Sequence, residues 1–96
     1  MTSSLVIREP GFYCQRDEKS FFDWLMAIPG IKGAKGASMG LIIDISTSEM
    51  DRVAWSDLIG LFARYKVDMK CINQIEMGTH EKWLKESNHY WHKMIF

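Results

Sequence analysis

Cysteines, prolines and an excess of charge of one sign are what this chain lacks, and each shortage excludes something. Its 96 residues contain two cysteines, Cys14 and Cys71, far apart and in no CxxC pair. No disulfide framework follows from that spacing, and the thiols are expected reduced. There are two prolines, Pro10 and Pro29, and no low-complexity or linker segment. Twelve Lys and Arg offset twelve Asp and Glu, so the formal net charge is zero. A balanced chain argues against a nucleic-acid partner, whose binding rests on neutralised phosphates. Long apolar runs are missing too. Nothing approaches the roughly 18 residues that span a bilayer, and Leu5, Val6 and Ile7 fall far short of a signal-peptide core. The expectation is a cytoplasmic protein with no membrane partner.

What is present is apolar and aromatic. Hydrophobic residues make up 47% of the chain, including four Trp, five Phe and three Tyr. That composition suits a folded core rather than a disordered tail. At this length the whole chain, 1–96, reads as one domain, able to bury about two-thirds of its unfolded surface without metal or disulfide support.

Periodicity places the elements. Leu5 to Arg8 suggests a short strand stopped by Pro10 and Gly11, with Phe12 to Cys14 as an extension. Asp17 suits the N-cap of a helix over 18–27, where Phe21, Trp24, Leu25 and Ile28 recur on one face. Pro29 and Gly30 end it. The stretches 31–35 and 39–46 read as an antiparallel hairpin turning near Gly36, Ala37 and Ser38, with Leu41, Ile43 and Ile45 on one face. A second helix begins at Asp51, with Ser48 as a competing cap and Met50 and Trp55 as a hydrophobic staple. Its buried stripe is Trp55, Leu58, Ile59, Phe62 and Tyr65, and Arg64 and Lys66 complement the negative end of its dipole. A strand is expected over 71–76. Thr79 then caps a terminal segment whose stripe is Trp83, Leu84, Trp91, Met94 and Ile95, as one helix or two. The order β-α-β-β-α-β-α implies an α+β domain, an antiparallel sheet with helices packed on it, and a ferredoxin-like arrangement is the simplest such topology.

Several motifs carry chemistry on paper. Gly36, Ser38 and Gly40 match GxSxG, but a nucleophile elbow needs a strand before the serine and a helix after it, on a far larger sheet. A hairpin turn explains the same glycines. Lys32 and Lys35 among those glycines match neither a P-loop nor a dinucleotide turn. His89 and His92 stand three apart on the terminal segment, yet a closed zinc site needs four ligands, and no local partner completes one. Leu41 to Ser46 carries no aromatic residue for stacking bases, which removes the RNA-binding reading of this topology. The residues point to no cofactor and no enzyme.

Certain strings are familiar. Phe21, Phe22, Asp23, Trp24 and Leu25 are followed by Ile28, Pro29, Gly30, Ile31 and Lys32. Then comes the run from Asp57 through Leu58, Ile59, Gly60, Leu61, Phe62, Ala63, Arg64, Tyr65, Lys66, Val67, Asp68 and Met69 to Lys70. Tyr90, Trp91, His92, Lys93, Met94, Ile95 and Phe96 close the chain. Together they resemble the small bacterial immunity proteins of contact-dependent growth inhibition and related toxin systems. The similarity runs from Gly11 to Phe96 and is most specific over 58–70. It implies a non-enzymatic protein that binds the C-terminal domain of one cognate toxin and blocks it. It supplies no binding residues, because the matching strings are largely apolar. Met77, Gly78 and Thr79 also depart from the more acidic, helix-starting segment of the family, as does the glycine-rich turn. Many such toxins are nucleases with basic clefts, so Asp68, Glu76 and Glu81 are candidates for an acidic binding edge. Tyr90 and Trp91 are candidate anchors. A self-associating adaptor, a homodimer through the Trp-rich C-terminal segment, is the alternative. A small hydrolase built on Ser38 is the third reading.

Overall fold

Alternation of buried and exposed residues in the middle of the chain sets the architecture, which a computed structural model describes for residues 3–38 and 40–96. β1 (Ser3–Ile7), β2 (Ile31–Ala37) and β3 (Gly40–Ile45) form one antiparallel sheet in the order β1-β3-β2. Leu41, Ile43 and Ile45 on β3 are buried, as are Leu5 and Ile7 on β1, while Ile42 and Asp44 face the other way, half-buried. The register pairs Leu5 with Ile43 and Ile7 with Leu41, so the two apolar rows coincide. A slip of one residue would turn both rows outward.

Because β3 runs antiparallel to both neighbours, β1 and β2 are parallel with β3 between them, a split β-α-β unit. Its crossover is α1 (Gln15–Ala27). The helix starts earlier than Asp17. Cys14 is the N-cap, and Asp17 serves from inside the first turn, its carboxylate accepting the Tyr13 N–H. Phe21 and Leu25 are fully buried. Ile28 leaves the helix in an extended conformation, as a residue before proline must. Gly30 follows at φ +95°, its carbonyl accepting the Ser46 N–H at 2.7 Å. A Cβ there would meet Met50 at 2.5 Å and the Ser46 carbonyl at 2.9 Å, so only glycine fits.

α2 (Arg52–Arg64) follows a 3-10 turn at Thr47–Glu49. Asp51 is its N-cap and accepts the Ala54 N–H at 2.8 Å. Met50 and Trp55 are both buried, in the positions of the staple. The buried faces of the sheet, α1 and α2 form one core cluster with Leu84, Trp91 and Ile95 of the C-terminal segment.

The fourth strand does not form. Met69–Gln74 is a 3-10 helix, packed against β1 and α2, with Asp68 accepting the Lys70 N–H at 3.0 Å. Met69 and Ile72 are buried and Ile75 half-buried, a spacing of three that matches the 3-10 repeat. A strand would instead have put exposed Asn73 on the face of Cys71 and Ile75. A further 3-10 turn, Gly78–His80, leads into α3 (Glu81–Leu84), whose N-cap is His80 and not Thr79. The terminal segment is two helices, α3 and α4 (His92–Ile95). The indole N–H of Trp91 donates to the Leu84 carbonyl at 2.9 Å, and His89 Nε2–H donates to the Trp83 carbonyl at 2.9 Å. Those side chains take carbonyls that a longer helix would have used. No helix among the described residues is long and apolar enough to cross a membrane.

Candidate protein-binding surface

The catalytic motifs dissolve into structural roles. Ser38 is exposed in the β2–β3 hairpin turn, with a strand after it rather than a helix. Met39, expected in that strand, lies outside the described residues. Gly40 belongs to strand packing: at φ +134° its backbone passes against the Ile7 carbonyl, where a Cβ would clash. Lys32 is paired with Glu49 at 2.7 Å, which holds that carboxyl below its ordinary pKa. Among the described residues no three His, Cys, Asp or Glu side chains are grouped to hold a metal. His89 lies stacked on Trp91, ring centroids 4.1 Å apart.

The five residues expected at a partner surface have different surroundings. Asp68, Glu76 and Glu81 are exposed. Asp68 caps the Lys70 amide, and Glu81 lies 3.9 Å from Lys85. Tyr90 and Trp91 meet edge to face at 5.2 Å. Tyr90 is 59% exposed, whereas Trp91 is 5% exposed and belongs to the core. Trp91 is therefore a structural pin for the C-terminal segment, its surface taken up inside the chain.

A different surface is assembled where α2 ends. The helix closes with the Lys66 N–H bonded to the Ala63 carbonyl and the Val67 N–H to the Phe62 carbonyl at 2.9 Å. This is the Schellman pattern, which puts the residue after the cap in the left-handed region. Glycine usually stands there; here it is Lys66, at φ 59°. Tyr65, just before it, is held edge-on to Phe21 at 5.1 Å and to Phe12 at 6.1 Å. That aromatic cluster ties the 8–14 segment to the end of α2.

Lys66 consequently stands where three open hollows meet. One, about 280 Å³, lies toward Tyr13, Asp17 and Arg64. A second, about 430 Å³, lies toward Arg8, Glu9 and Asp68. The third, about 460 Å³, runs between Lys66, Lys70, Lys93 and Met94, over Phe62 and Val67. Two apolar side chains stand out of this surface: Tyr13, 97% exposed, and Met94, 47% exposed. Lys70 Nζ is engaged by the Lys93 and Phe96 carbonyls, at 3.3 and 3.1 Å. Among the described residues no ion pair engages Arg64, Lys66 or Lys93. Cys71, close by in sequence, is half-buried, and burial with the Asp68 charge pushes its thiol pKa up to about 11. It is no nucleophile at neutral pH.

Sequence reasoning gave Lys66 a dipole role and placed Met94 on a buried stripe. The missed signal was local: a strong helical stripe ends in Tyr65, Lys66 and Val67 with no glycine after it. No family model, curated protein or solved structure matches the chain.

Proposed function

We propose that this chain is a protein inhibitor of the immunity type, which binds the C-terminal domain of a cognate toxin and neutralises it by covering it. The observation that carries the reading is the surface at the end of α2. Exposed Tyr13 and Met94 stand over open hollows among scattered carboxylates and cations that form no ion pair with the described residues. Aromatic, Met and Arg side chains within a polar rim are what protein interfaces favour, and Met adapts its shape to a partner. The sheet, α1 and α2 form the core beneath this surface. Of the residues expected at the partner surface, Asp68 lines two of its hollows.

The alternative of a homodimer through the Trp-rich segment has less to stand on. Trp91 is buried, and Trp83 is half-buried under Arg52, whose guanidinium lies 5.2 Å from the ring centroid.

The reading places the gene directly downstream of a large toxin gene, and the test is co-expression with that toxin's C-terminal domain. The expected result is a complex that survives purification at micromolar concentration, together with growth of cells that the toxin domain alone arrests. Absence of both would overturn the reading.

A further inference from the structure

Lys66 carries a cost that its neighbours do not require. A non-glycine residue in the left-handed region is strained, because its Cβ crowds the neighbouring carbonyl. The Schellman closure it belongs to would form as well, or better, with glycine. Strain kept at one residue points to what its side chain does. Here that side chain is the one element shared by all three hollows.

The charges around it select a ligand. Arg64 and Lys93 line different hollows, each of which Lys66 also lines, and like Lys66 they have no ionic partner among the described residues. The α2 carbonyls that end beside them are already taken by the Schellman amides. These three cations around adjoining hollows, with half-exposed Met94 lining one of them, complement carboxylates flanking an apolar side chain. A phosphate backbone fits less well. Asp17 and Asp68 share the same hollows, and they would repel a continuous run of phosphates while leaving gaps for spaced carboxylates.

We propose that the Lys66 surface is the docking site for an acidic, partly apolar segment of the partner protein. The partner's carboxylates pair with Arg64, Lys66 and Lys93, and one of its apolar side chains rests on Met94 over Phe62 and Val67. The proposal rests on the inhibitor reading and adds the chemistry of the face it recognises, which is acidic rather than the basic cleft of a nuclease.

Chemical-shift mapping on the isotope-labelled full chain tests it without knowledge of the partner. The probes are a synthetic peptide of alternating Glu and Leu, the same peptide with Lys for Glu, and a single-stranded DNA oligonucleotide. The Glu/Leu peptide is expected to shift amides over 63–70 and 92–96 saturably, and the Lys/Leu peptide to leave them still. Lys66→Glu should weaken the Glu/Leu peptide at least about tenfold with an otherwise unchanged spectrum, one attraction having become a repulsion. Lys66→Gly should weaken it as well while raising Tm by about 4 °C, because relief of strain and loss of the cation act in opposite directions. A purely structural Lys66 would move Tm alone. Shifts confined to other regions, tighter binding of the DNA at these residues, or equal affinity in Lys66→Glu would each overturn the proposal. Peptide binding without protection from the toxin would remove the inhibitor reading and leave this surface standing. Protection that survives Lys66→Glu would remove the surface and leave the inhibitor.

Discussion

The first two-thirds of the chain and the last third solve the burial problem in opposite ways. Residues 3–64 use long regular elements whose apolar rows coincide, and they supply most of the fully buried side chains, from Leu5 to Phe62. Residues 65–96 use one-turn helices and 3-10 turns held by single side-chain bonds to carbonyls, such as Trp91 to Leu84 and Lys70 to Phe96. Regular elements satisfy their own backbone and leave side chains free to pack. Irregular ones need side chains to do both jobs, and the polar groups and hollows this creates stay at the surface. The difference teaches where to look for function: at the seam where α2 gives way to the irregular segment.

The largest test of this contrast lies in the regular part. Phe21→Ala should cost about 3–5 kcal/mol by denaturant unfolding, whereas Tyr13→Ala, at an exposed neighbouring aromatic, should change stability by less than about 0.5 kcal/mol. Comparable losses would erase the distinction between scaffold and surface. In the irregular part, Trp91→Phe keeps an aromatic ring but removes the bond to the Leu84 carbonyl. A loss of about 1–3 kcal/mol is expected, with hydrogen exchange accelerated over 81–96 and little changed in the sheet. Uniform acceleration would mean that the two regions unfold as one.

Asp51→Ala should cost about 1 kcal/mol, since it frees the Ala54 N–H at the start of α2. The smallest effect is chemical. Cys14 is exposed and should react readily with a thiol reagent at pH 8, while Cys71 should react far more slowly. Folding favours the neutral thiol of Cys71. Its contribution is therefore whole below its ordinary pKa of 9.0 and is lost as pH rises through about 11. Equal labelling rates in the native protein would show the 69–74 turn to be open.

How much of this was legible depended on whether one period dominated locally. Leu41, Ile43 and Ile45 alternate, and Trp55, Leu58, Ile59 and Phe62 recur helically, so strand and helix were readable with their buried faces. Asp51 followed from cap chemistry alone. The 71–76 segment misled because its apolar residues are sparse: Met69, Ile72 and Ile75 are spaced by three, and so short a 3-10 run leaves a pattern easily taken for a strand. Helical spacing puts Met94 on the buried stripe, yet α4 is four residues long, the Trp91 pin holds its start, and Met94 is 47% exposed. The candidate surface was the least legible part. It joins 8–17, 64–70 and 93–94, three segments with no shared local pattern, and only the fold brings them to Lys66.

The most direct measurement is a hydrogen-exchange footprint of the full chain, alone and with the toxin domain that the proposed inhibitor role requires. The account predicts new protection over 63–70 and 92–96, around Lys66, with β2 and the β2–β3 turn unchanged. Protection confined to the sheet, or to the stretch from Glu76 to Tyr90 with the Lys66 surface unaffected, would contradict it.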